Sequence, residues 1–147
     1  MAKKSVNKIN LIDEAGQSFV IFGIVSSEPA YKLSVLINQT LSISLKNADP
    51  VVIKKADKTD RFSRFTDKSD LPRSSVSLIE NRNEEQSLLR KFPNIDYLLV
   101  RSVEAGDKLE DEEYSSLLRT VKHITAVFII DMERVETSVI EAIMPNY

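Results

Sequence analysis

The chain contains no cysteine. That removes disulfides, thiolate nucleophiles and every sulfur-ligated metal site in one step, and it fits a reducing compartment. Glycine is nearly as scarce, with three in 147 residues. Phosphate-cradling loops and dinucleotide fingerprints need the close backbone approach that glycine permits, so neither is expected. No serine stands in a Gly-x-Ser-x-Gly elbow either. The single histidine, His123, excludes a two-histidine metal site and a relay through a second histidine. Long apolar runs are also missing: Phe19 to Val25 is the longest, at seven residues, against about 20 for a membrane-spanning helix. Met1 to Lys8 begins like the basic end of an export signal, but Asn10, Asp13, Glu14 and Gln17 occupy the place of its apolar core. The expectation is a soluble cytoplasmic protein with no membrane association.

What is present is ordinary for a globular domain: 42% hydrophobic and 29% charged residues, with a net charge of −2. The length suits one domain, residues 1–147, able to bury about 70% of its unfolded surface. Residues 1–8 and 133–147 are expected to be mobile ends. The charge is unevenly spread. Residues 46–73 carry eight basic and five acidic side chains, whereas residues 104–113 carry six acids against Lys108.

Asn94 to Val103, entered through Pro93 and closed by Gly106, reads as a central strand, and Phe19 to Val25 as another. Ile9 to Ile12 suggests a short strand before it. Ser26-Ser27-Glu28-Pro29 has the residues of a helix start, and Ala30, Leu33, Leu36, Ile37 and Leu41 follow at helical spacing. Leu41 to Leu45 then alternates with period two, which predicts a strand. Val51 to Lys54 and Arg61 to Phe65 read as further strands, the latter as a charged edge strand, and Val76 to Asn81 as another. Asp107 is placed to cap a second helix, acidic at its start and basic through Arg119, Lys122 and His123 at its end. Leu109, Tyr114, Leu117, Leu118 and Val121 supply its buried stripe, and Thr125 to Ile130 reads as a strand. After Asp131 the pattern fits a short helix or an edge strand equally. Two strand-helix-strand units predict an α+β, two-layer sandwich: a mostly antiparallel sheet with two helices on one face, built from ferredoxin-like βαβ units. The other face would stay partly apolar.

The order Phe22-Gly23-Ile24-Val25-Ser26-Ser27, Leu36-Ile37-Asn38-Gln39-Thr40-Leu41, Phe65, Leu78-Ile79-Glu80-Asn81, Ile95-Asp96-Tyr97 and Ala126 to Asp131 resembles the IPExxxVDY family of small proteins. The resemblance covers most of the chain. The family's Ile-Pro-Glu falls on Leu89, Arg90 and Lys91, so only the Ile95-Asp96-Tyr97 half of the motif is present, and the proline is Pro93. The resemblance implies a compact cytoplasmic protein and brings no activity, cofactor or catalytic residue.

Candidate chemistry is thin. His123 reads as a helix-terminal cation favourable to the dipole. Asp107, Glu110, Asp111, Glu112 and Glu113 suggest a hard-cation site, but consecutive helical acids diverge, and a dipole-stabilising first turn is the simpler reading. Asp96 and Tyr97, as neighbours on a strand, point to opposite faces and cannot share one substrate atom. Lys54, Arg61, Phe62, Arg64, Phe65 and Arg73 are the best binding candidate, because basic side chains interleaved with aromatics on a sheet hold single-stranded RNA. Five nearby aspartates and the net negative charge weigh against nucleic acid.

The favoured reading is a non-enzymatic binding or regulatory domain acting through protein contacts, self-associating as a homodimer through an exposed strand or sheet face. No catalytic residue, cofactor or metal is expected. The alternatives are an enzyme or small-molecule-binding domain whose site gathers scattered residues such as Asp96, Tyr97 and Arg101, and an RNA binder through residues 54–73.

Overall fold

Two apolar runs make the middle of the sheet because both of their faces are covered. The computed structural model describes residues 17–70, 74–84, 86–104 and 109–144. Strand β1 (Gln17–Val25) buries Ile21 and Phe22 on opposite faces, and its antiparallel neighbour β5 (Tyr97–Glu104) does the same with Leu98 and Leu99. Around them lie β2 (Lys46–Lys54), β3 (Thr59–Asp67), β4 (Ser74–Glu80) and β6 (Ala126–Ile129), in the spatial order β2-β3-β4-β5-β1-β6. Every neighbouring pair is antiparallel. The fold is α+β.

Helix α1 (Ala30–Leu41) carries the chain from β1 to the far edge, where β2 begins. The chain returns through the meander β2, β3, β4 and β5, which sets β5 beside β1. Helix α2 (Asp111–Arg119) then crosses to β6, so β5 and β6 flank β1 and run the same way. Leu33 and Ile37 of α1 with Tyr114 and Leu118 of α2 pack on Phe22, Ile24, Leu78, Leu99 and Val127.

The opposite face is not left open, contrary to expectation. Residues after Asp131, for which the sequence allowed a helix or a strand, form a 3-10 turn at Met132–Arg134 and a third helix, α3 (Thr137–Ile143). Val135, Val139 and Ile143, spaced by four, pack with Leu88, Leu89 and Ile95 from the loop after β4 onto Ile21, Phe62, Ile79, Leu98 and Val100. Residues 133–144 are thus built into the fold and are not a free end.

Three local expectations are corrected. Leu41 to Leu45 is not a strand: α1 runs to Leu41, Ser42 turns left-handed at φ 57°, and Asn38 binds Leu45 at both its amide (2.7 Å) and its carbonyl (3.2 Å). The alternation there records a loop lying on the helix layer. Arg61 to Phe65 is not an edge, because β3 lies between β2 and β4; the edge is β2, which carries Pro50 and a bulge between Ala48 and Val51. His123 does not end a helix. Helix α2 stops at Arg119, and His123 sits exposed in the following turn at φ 73°. The N-terminus of α2 is closed by a capping box of Glu110 and Glu113. The expected strand at Ile9 to Ile12 and the expected cap Asp107 lie outside the described residues.

Candidate functional site

The Lys54, Arg61, Phe62, Arg64, Phe65 and Arg73 set does not converge. Strand alternation puts Phe62 and Arg64 on one face of β3 and Arg61 and Phe65 on the other. Phe62 is 2% exposed in the core, where no base can stack on it, and Phe65 packs against the cluster beneath α1 and α2. Arg64 donates from Nε to the Asp49 carbonyl at 2.8 Å; burial lowers its pKa, and Asp49 partly offsets that. Lys54 is exposed at the end of β2, and Arg73 lies outside the described residues.

A shallow cleft of about 490 Å³ opens beside these strands, lined by residues including Lys46, Asp49, Asp67 and Lys68. Its Asp67 carboxylate accepts the Ser44 amide (2.8 Å), the Ser69 amide (2.8 Å) and the Ser69 hydroxyl (2.6 Å). Burial alone would push this carboxyl up, but those hydrogen bonds and the nearby Lys46 charge hold it below the ordinary range. Asp67 therefore fixes two loops.

The neighbours Asp96 and Tyr97 form a clamp. Asp96 precedes β5, and its carboxylate accepts the Ser26 amide at 2.9 Å and pairs with the Arg82 guanidinium. The Tyr97 hydroxyl donates to the Glu28 carbonyl. Both neighbours thus hold one link, residues 26–29, between β1 and α1. Burial, with the Glu80 and Glu28 carboxylates nearby, pushes the Tyr97 phenol up to about 12, against a smaller opposing effect of Arg82. Arg101 lies under 10% exposed, stacked 4.3 Å from the Tyr114 ring centre and bonded to the Leu109 carbonyl. These polar groups serve the frame.

Asn81 is a residue that sequence reading missed in this role. Fully buried, it donates to the Phe92 (3.0 Å) and Ile95 (2.8 Å) carbonyls and accepts the Leu89 amide (2.8 Å), stapling the loop that caps the second face. The signal was an asparagine closing an apolar strand before a long loop. Among the described residues, no cluster of three or more His, Asp or Glu side chains is placed to hold a metal ion. No helix among them is long and apolar enough to cross a membrane.

Among the described residues, the two edges of the sheet differ. Along β2, exposed Lys46, Asp49, Pro50 and Lys54 and the bulge discourage further pairing. Along β6, Ala126 to Ile129 contains neither a charge nor a proline, and Phe128 is 52% and Ile129 38% exposed. Phe128 pairs with Gly23, and the Ile130 amide donates to the Ile21 carbonyl. By antiparallel alternation, Val127 and Ile129 turn their backbone groups outward. The Val127 carbonyl accepts the Arg119 guanidinium from α2 at 3.3 Å. The sequence read this run as a strand, but an apolar run does not reveal that its strand stands outermost.

Neither protein-family models nor curated proteins match the chain.

Proposed function

We propose that the protein is a small non-enzymatic binding or regulatory domain whose docking surface is the open edge of β6. The observation that carries this reading is the contrast between the edges: β2 is blunted by charge, proline and a bulge, while β6 exposes two large apolar side chains and, among the described residues, has only its Val127 carbonyl covered, by Arg119. An extended segment of a partner protein pairs with such an edge through main-chain bonds, and side chains on alternate faces select it. The likeness to the IPExxxVDY family and the ferredoxin-like layout belong to the same reading. The layout is supported by α2 crossing between the strands that flank β1. A cytoplasmic setting suits the cysteine-free chain.

The test is a photo-crosslinking amino acid placed at position 128 in one variant and at position 48 on the β2 edge in another. Protein adducts should form from position 128 and not from position 48, and Ile129→Pro, which removes an outward donor, should abolish them. Adducts of equal yield from both positions, or from neither, overturn the reading.

A further inference from the structure

We infer that the partner of the β6 edge is a second copy of this chain, joined by a two-fold axis beside Phe128. This rests on the reading of β6 as a docking edge. Antiparallel strands bond through residues that both point their backbone groups into the gap. Outward groups on β6 belong to Val127 and Ile129, so the register that uses both sets Val127 opposite Ile129 of the second copy. That register places Phe128 opposite its own counterpart, in a close non-bonded pair where exposed aromatic rings meet.

Helix α2 supplies a second, independent match. It packs against β6, and its exposed residues Glu112, Ser116 and Arg119 are spaced by four and three, forming one stripe. Arg119 reaches the Val127 carbonyl, so the stripe lies on the side of the open edge. The axis that pairs the strands also sets the two α2 helices antiparallel. Glu112 then faces Arg119 of the second copy, and the small Ser116 sits at the crossing, where it lets the helices approach. The stripe is self-complementary only under such a two-fold.

The Arg119 contact also explains the resting edge. In the single chain its guanidinium covers the one outward carbonyl that dimerisation needs at Val127. On pairing, the Ile129 amide of the second copy takes that carbonyl, and Arg119 turns to Glu112 of the second copy. Solvent-exposed ion pairs add little energy, so this pair fixes orientation, while the backbone bonds and the Phe128 pair hold the dimer.

Sedimentation velocity on the full chain over a dilution series tests the inference, with Glu112→Arg, Arg119→Glu, the double reversal and Ile129→Pro alongside, and circular dichroism as the check on folding. The wild type should dimerise reversibly. Each single reversal should weaken association by about tenfold, because two symmetry-related pairs turn repulsive. The double reversal should return it toward the wild type, and Ile129→Pro should be monomeric. Should Ile129→Pro unfold, the two single reversals and their double, all on an exposed helix face, decide alone. A wild type that is monomeric throughout overturns self-pairing, and adducts from position 128 to a different protein would then leave the docking edge standing. A dimer indifferent to all four variants overturns both this register and the use of β6.

Discussion

The Asp96 carboxylate accepts the Ser26 amide at 2.9 Å, joining positions 70 residues apart. With the Tyr97 hydroxyl on the Glu28 carbonyl, it ties the entry of β5 to the link that launches α1. Asp96 and Tyr97 therefore act on chain geometry.

Removing the clamp should cost stability. Asp96→Ala leaves the buried Ser26 amide without its acceptor and is expected to cost about 1–3 kcal/mol. Asp96→Asn keeps a neutral acceptor and should cost less. Urea unfolding of both variants measures the difference. Equal losses would move the effect from the amide bond to the Arg82 ion pair.

Tyr97 predicts an alkaline weakening. Its phenol is pushed up to about 12 by burial and by the Glu80 and Glu28 carboxylates, so the folded state favours the neutral form. The contribution is fully present below the ordinary tyrosine range near 10 and is lost as pH rises toward 12. Tyr97→Phe should be somewhat less stable at neutral pH, since it loses the bond to Glu28, yet it should lack this decline. Melting temperatures of both proteins across pH 9 to 12, spanning that interval, test it; parallel curves would refute the assignment.

Gly23 is required by close approach. A Cβ at this position would stand 2.5 Å from Ile95 Cδ1 and 3.0 Å from Ile130 Cδ1. Gly23→Ala should cost about 1–3 kcal/mol through overpacking. Ile95→Val removes the nearer methyl, so the double variant should be more stable than the sum of the two single costs implies. Strict additivity in denaturant unfolding would show that the strain is relieved elsewhere.

The central strands were legible in the sequence because burial on both faces leaves unbroken apolar runs, as in Ile21 to Ile24 and Leu98 to Val100. The stripe of α1 was legible at helical spacing, and that of α2 in part: Tyr114 and Leu118 are buried, but Leu117 is 39% exposed and Leu109 and Val121 lie beyond the helix ends. Leu41 to Leu45 misled because a loop lying on a helix layer also alternates, and only the tertiary contact from Asn38 distinguishes it from a ladder. Helix α3 buries only Val139 and Ile143, too few turns to stand out, and Val135, four residues earlier, lies in extended chain before it. Phe62 and Arg64 were read as surface because local pattern does not say which strand is outermost; that is set by pairing between distant segments. The same ignorance hid the β6 edge.

The sheet order also constrains how the chain reaches this state as it is made. Among the described residues, β1 has no neighbour formed from adjacent sequence: its partners are β5, where Gln17 registers with Glu104, and β6, where Val25 registers with Ala126. During synthesis the meander β2, β3 and β4 can close locally, while the most apolar strand waits unpaired for the C-terminal part. A ribosome-bound chain ending before Tyr97 should therefore expose Phe19 to Val25 to chaperones, and the final assembly of β1 between β5 and β6 should govern the folding rate.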